Sequence, residues 1–261
     1  YVEQDLRNLA RDLNLGLVGL WGLGVQMGFP SSSILFDALE ELGRQSGHPE
    51  IVNAPMFTFG MSNGSGFAGW LACLEPERVL GWVLYHPGHY KQIIRPGLYN
   101  IPGMVVCGEN DNRHAALVPE GNDEKAIKSF QQYGQQLAVE RARKENNALM
   151  QLVVEPGVGH GNNASKSWTI VLAFMKTMFA LRVPQDADLA KGPVKLKAIK
   201  ESDGWLGQDW NAQTGGYQKL PIAAYAAFSG DKAQASWLPD ENYALKWQEF
   251  QNTGIVDRWW K

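Results

Sequence analysis

Between Ala54 and Ala72 the chain reads as an apolar, β-prone run, a tight turn and a glycine- and alanine-rich helical pattern, joined at Gly60-Met61-Ser62-Asn63-Gly64. This strand, sharp turn and helix restricts the fold more than any other stretch, because a serine at such an apex takes a strained backbone position. Glycines two residues to either side let strand and helix approach closely. The Ser62 hydroxyl then stands clear of the sheet, at a helix N-terminus where developing negative charge is favoured. The same residues would also serve as an ordinary strand-to-helix connection. What decides between the two is whether a base and an orienting acid follow downstream.

Around this junction, strand and helix patterns alternate. Val2 to Leu13 has apolar residues at helical spacing, and Leu15 to Trp21 is an apolar run suited to a strand buried on both faces. A Gly-rich passage leads to a helix over about Ser32 to Gln45, with serine caps and a stop at Gly47. After the Ser62 junction come a strand over Val79 to Tyr85, a strand over Gly103 to Cys107 and a polar helix over Asp123 to Asn147. A strand over Leu149 to Val154 and an apolar helix over Ser165 to Leu181 follow. Alternation at this spacing predicts an α/β fold with a doubly wound, mostly parallel sheet over residues 1–183. From residue 184 the pattern changes. The segment 184–261 carries six of the ten tryptophans, a short alternating run at Val194 to Ile199, and a helical pattern over about Pro239 to Thr253. It is expected to be an extension packed on the core rather than an independent domain.

Bulk properties exclude several function classes. With 44% hydrophobic and 20% charged residues the chain has the makings of a packed core. A net charge of -3 offers no basic surface for nucleic acid, and no apolar run is long enough to span a bilayer, so a soluble protein is expected. Cys73 and Cys107 sit in apolar surroundings as free thiols, and no His/Cys cluster has structural-zinc spacing. The first residues are charged and unlike a signal peptide, although a processed secreted protein would look the same; a secreted or periplasmic setting is favoured.

Downstream of Ser62, Asp111 follows one buried strand and His160 another, in the order nucleophile, acid, base. Loops after the strands of an open parallel sheet share one edge, so these three side chains can converge there. The chemistry needs all three: an imidazole accepts the serine proton and a carboxylate fixes the imidazole tautomer. Together, Gly60-Met61-Ser62-Asn63-Gly64, Gly108-Glu109-Asn110-Asp111 and Val158-Gly159-His160-Gly161 resemble the α/β-hydrolase superfamily, within it the polyhydroxybutyrate-depolymerase and feruloyl-esterase branch of serine esterases. The resemblance covers about residues 2–183. It implies Ser62 as nucleophile, His160 as general base, Asp111 as orienting acid and the backbone N–H of Asn63 as an oxyanion donor. It implies a small-molecule or polymer ester as substrate, with neither metal nor organic cofactor. A feruloylated sugar, a polyester fragment or an aryl ester suits the aromatic tail. Ser65 stands where many relatives have glycine, a change expected to narrow the elbow packing.

Other residues have a structural alternative that weighs more. Glu109 competes with Asp111 as the acid, and an Asp at the loop tip fits better. His86 and His89 are expected to serve turn hydrogen bonds rather than to line the pocket or hold a metal, His48 to be solvated in a loop, and His114 to be a surface residue or a cleft wall. The Trp-rich tail suits ordinary packing better than a carbohydrate platform.

Compared with that superfamily, the sheet lacks its usual N-terminal strands, including the one expected between Leu15–Trp21 and Met56–Phe59, whose following loop carries the second oxyanion donor. An empty central slot would leave backbone groups unpaired. Three resolutions follow: another polypeptide or a further segment of a longer protein supplies the strands, Val194 to Ile199 or another C-terminal segment fills the slot, or the flanking strands pair directly in a reduced sheet. The first is favoured. Beside an esterase, a peptidase or amidase with the same triad and a non-catalytic binding protein remain as alternatives.

Overall fold

The computed structural model describes residues 4–20, 32–88, 93–111, 124–160, 167–209 and 219–254. Predicted features at Trp21, His89, His114, Gly161, Ser165, Trp210, Trp259 and Trp260 lie outside them. The chain is α/β. Four strands, β1 (Met56–Met61), β2 (Val79–Tyr85), β3 (Gly103–Gly108) and β4 (Met150–Glu155), form one sheet in the order β1-β2-β3-β4, all parallel. β2, β3 and β4 are buried along their whole length because both faces are covered, whereas Phe59 and Met61 of β1 stay exposed. One face meets α3 (Asn63–Leu74) and α4 (Glu124–Asn146) in a core that includes Ala68, Ala72, Leu84, Val105, Val139 and Leu152. The other face meets α5 (Trp168–Arg182), with Val83, Met104, Val153 and Phe174 at its centre. The first helix is α1 (Gln4–Asp12). Next, α2 (Ser33–Ser46) ends on left-handed Gly47 and packs through Leu35 and Leu39 on Leu71 of α3.

The run over Leu15 to Trp21 is not the predicted strand. Residues 15–20 are irregular, and Leu15, Leu17, Val18 and Leu20 are exposed. A strand needs a neighbouring ladder, and no described strand pairs with this run; Gly16 and Gly19 weaken it further. Nor does Val194 to Ile199 enter the sheet. Val194 N–H donates to Asn53 O at 3.4 Å and Lys197 N–H to Arg182 O at 2.9 Å, so this run crosses irregularly between those segments. Among the described residues no strand pairs with the outer edge of β1.

The opposite edge of the sheet is closed by the C-terminal residues, which hold structure the sequence did not reveal. A three-stranded antiparallel sheet of β5 (Trp205–Gly207), β6 (Ile222–Ala224) and β7 (Ser236–Leu238) precedes α6 (Glu241–Thr253), whose N-terminus is capped by Asp240 accepting from Tyr243 N–H at 2.8 Å. Leu206, Trp237, Trp247 and Phe250 lie in the same core as Val83 and Phe174. Side chains then finish the hydrogen bonding of β4. Ser236 Oγ accepts from Leu152 N–H at 2.8 Å, and Trp247 Nε1–H donates to Leu152 O at 2.8 Å. Gln251 Oε1 accepts from Val154 N–H at 3.1 Å, and its Nε2–H donates to Val154 O at 3.2 Å. An edge strand left with bare N–H and C=O groups would invite pairing with another chain; here four side-chain bonds use up those of Leu152 and Val154.

Candidate active site

The site is built at the carboxyl ends of the strands, beginning with Ser62. It links β1 to α3 at φ 52° and ψ -119°, in the positive-φ region that side chains rarely adopt. Three backbone hydrogen bonds hold this residue: Ser62 N–H donates to Tyr85 O at 2.9 Å, and Gly88 N–H and Ser65 N–H donate to Ser62 O at 3.2 Å and 3.1 Å. Gly60 has no room for a side chain, since a Cβ would lie 2.1 Å from Gly64 O. Gly64 is different, because a Cβ there meets nothing within 4 Å. The close approach therefore rests on one glycine, not on the expected two. Ser65 is fully buried and braces the turn, its Oγ donating to Gly60 O at 2.8 Å.

His160 and Asp111 arrive on the loops after β4 and β3. These loops touch at Gly108, where a Cβ would sit 2.2 Å from Val158 O, and Asn110 N–H donates to Val158 O at 2.8 Å. Ser62 Oγ lies 2.8 Å from His160 Nε2, and His160 Nδ1 lies 2.9 Å from Asp111 Oδ2. The Asp111 carboxylate is buried and the imidazole is largely covered. Residues 62, 111 and 160 thus meet in one hydrogen-bonded row. Glu109, the competing acid, faces elsewhere and accepts from Gly157 N–H at 2.7 Å. Asn63 is the first residue of α3, where a backbone N–H has no intrahelical acceptor.

Behind Asp111 stands a second layer that sequence reasoning missed. His86, at φ 43°, is fully buried, and its ring bonds two acids rather than the turn. Its Nδ1 is 3.3 Å from Asp111 Oδ2 and its Nε2 is 2.7 Å from Glu155 Oε2. Glu155 is also fully buried; its Oε1 accepts from Tyr85 OH at 2.8 Å and from Ser167 Oγ at 2.6 Å. Burial works against charge on His86, but the hydrogen bonds and charges of Asp111 and Glu155 outweigh it and raise its pKa to about 9. The available signal was an acid ending an otherwise apolar buried strand, at Val153-Val154-Glu155.

His86, Asp111 and His160 bring ligand-type atoms within 4.8 Å of one another, a spacing that a metal ion could bridge. Both imidazoles address a single Asp111 oxygen, so a cation there would displace their N–H groups from it. His48 is exposed beside Glu50, and Trp237 and Trp247 are fully buried core residues. No helix among the described residues is long and apolar enough to cross a membrane.

The chain matches no protein-family profile and no curated protein. Among solved structures it is similar to a poly(3-hydroxybutyrate) depolymerase from Bordetella parapertussis, at 18% identity and a TM-score of 0.38. The overlap covers 61% of this chain and spans 61% of that one.

Proposed function

We propose that this protein is a serine hydrolase that cleaves carboxylic esters through an acyl-enzyme, on a sheet of α/β-hydrolase type. The observation that carries this reading is the unbroken row from Ser62 Oγ through His160 to Asp111, with contacts of 2.8 Å and 2.9 Å. As Ser62 Oγ attacks the ester carbonyl, its proton passes to His160 Nε2, and Asp111 holds the other ring nitrogen as donor. The tetrahedral oxyanion faces the N–H of Asn63 at the start of α3. Collapse expels the alcohol, which takes the proton from His160. Water, deprotonated by the same imidazole, then releases the acid and restores Ser62. The route uses no metal or organic cofactor. Depolymerase-like and feruloyl-esterase-like substrates, polymeric or aromatic esters, fit the reading best.

The second oxyanion donor is not found among the described residues. We assign it to a further polypeptide segment lying along the outer edge of β1, the edge that ends at Ser62 and has no described partner strand. Intact-mass analysis tests this: a preparation fully active as this 261-residue polypeptide alone would refute it.

Mass spectrometry after exposure to a fluorophosphonate tests the main reading. One adduct on Ser62, absent from Ser62→Ala, is expected. An unreactive Ser62 in the complete protein would refute it and favour a binding protein on the same scaffold. Paired ester and amide substrates separate an esterase from a peptidase or amidase.

A further inference from the structure

We propose that His86 and Glu155 are positioning residues: a buried imidazolium, fixed between two carboxylates, holds Asp111 in register for His160. The proposal rests on the triad reading above and extends it inward by two residues.

Donor counting carries the argument. Each nitrogen of His86 faces a carboxylate oxygen, Asp111 Oδ2 at 3.3 Å on one side and Glu155 Oε2 at 2.7 Å on the other. An ionised carboxylate only accepts, so with Asp111 and Glu155 both ionised each nitrogen carries a hydrogen and the ring is a cation. Glu155 fits the accepting role, since Tyr85 OH, Ser167 Oγ and Ser167 N–H all direct hydrogens at its Oε1. These three donors fix Glu155, Glu155 fixes one end of His86, and the other end fixes Asp111. Backbone geometry aims the ring inward: His86 follows β2 at φ 43°, and its N–H donates to Val106 O at 2.7 Å on β3. Among the described residues, the titratable groups facing His86 are Asp111 from the loop after β3, Glu155 from the end of β4, His160 from the loop after β4, and Tyr85 beside it on β2.

A bare triad carboxylate is oriented by its own loop. Here Asp111 Oδ2 is shared by two imidazoles whose rings stand edge to face with centroids 6.0 Å apart. Rotation of Asp111 away from His160 would strip the buried His86 cation of a partner, which such a cation cannot lose cheaply. Positioning therefore persists only while His86 keeps both hydrogens. The raised pKa of about 9 sets the upper limit of that range. Its sign is that of a base gaining partners: the contribution is full below the ordinary histidine range and is lost as pH rises through about 9.

The experiment is the pH dependence of kcat and KM for an ester in the complete protein, its Glu155→Gln variant and its His86→Asn variant. Asparagine is chosen because it tolerates positive φ. Glu155→Gln is expected to lower kcat about ten-fold with KM little changed, the loss of one charged hydrogen bond. It is also expected to move the alkaline limb from about 9 to lower pH, and His86→Asn to abolish that limb. Wild-type kcat and an unmoved alkaline limb in both variants, with Ser62→Ala inert, would overturn the proposal and leave the hydrolase reading standing. Nitrogen-15 NMR of the His86 ring separates the two ideas if no ester is turned over or the variants fail to fold. A doubly protonated ring at neutral pH that titrates near 9 supports the proposal, and a neutral ring there overturns it.

Discussion

Replacing Gln251 by methionine tests how the C-terminal residues protect the sheet. The Gln251 amide meets both backbone groups of Val154, accepting at 3.1 Å and donating at 3.2 Å, and side chain and strand residue are both buried. Methionine has similar length and fills the space but offers Val154 no partner. An unsatisfied buried polar group costs about 1–3 kcal/mol, so two of them, less what is regained by no longer burying an amide, give about 2–4 kcal/mol. For a domain of this size that is a fall in Tm of about 5–15 °C. Urea unfolding at constant m measures the energy. Hydrogen exchange at Val154 N–H locates it, with Leu152 N–H, held by Ser236 Oγ, as the internal control. Gln251→Glu sharpens the test. At neutral pH it buries a charge and lacks the donor for Val154 O, so it is expected to be less stable than Gln251→Met. On acidification its protonated carboxyl regains that donor, and the deficit narrows. A Gln251→Met protein within about 0.5 kcal/mol of wild type, with unchanged exchange at Val154, would refute the reasoning.

Two further outcomes are expected. Gly60→Ala places a Cβ 2.1 Å from the backbone oxygen of Gly64, so stability should fall by more than about 3 kcal/mol and fluorophosphonate labelling should be lost, while Gly64→Ala, with nothing within 4 Å, should label normally; melting curves and adduct mass compare the pair. Burial raises the thiol pKa of Cys107 far above its ordinary value and raises that of half-buried Cys73 as well. A disulfide reagent should therefore label Cys73 slowly in the native protein and Cys107 only on unfolding, as read by peptide mapping.

Much of the architecture was legible because burial writes itself into short runs. Val79–Tyr85 is apolar almost throughout and residues 150–154 are apolar but for Gln151, since helices cover both faces of a parallel sheet, and Gly47 marks the end of α2 through its left-handed conformation. The same cue misled at Leu15 to Leu20. An apolar run records affinity for burial, whereas a strand also needs a neighbouring edge, which the described residues do not supply there. The strands β5, β6 and β7 were invisible for the opposite reason: three residues each are too few for a period, and long-range packing on Trp247 holds them.

The three residues of the proposed triad could be nominated from sequence because each follows a strand of the parallel sheet, and such loops gather at one sheet edge whatever the details. Glu109 and Asp111 could not be separated that way, being two residues apart on one loop; the contact of Glu109 with Gly157 and of Asp111 with His160 came only with the fold. His86 and Glu155 lie 69 residues apart, and their role rests on two buried hydrogen bonds that no periodicity encodes. Sequence determined which segments seek burial and which residue types reach the strand ends. Tertiary structure alone decided which charges face one another, because the energy of a buried charge depends on partners within a few ångströms in space, not on neighbours along the chain.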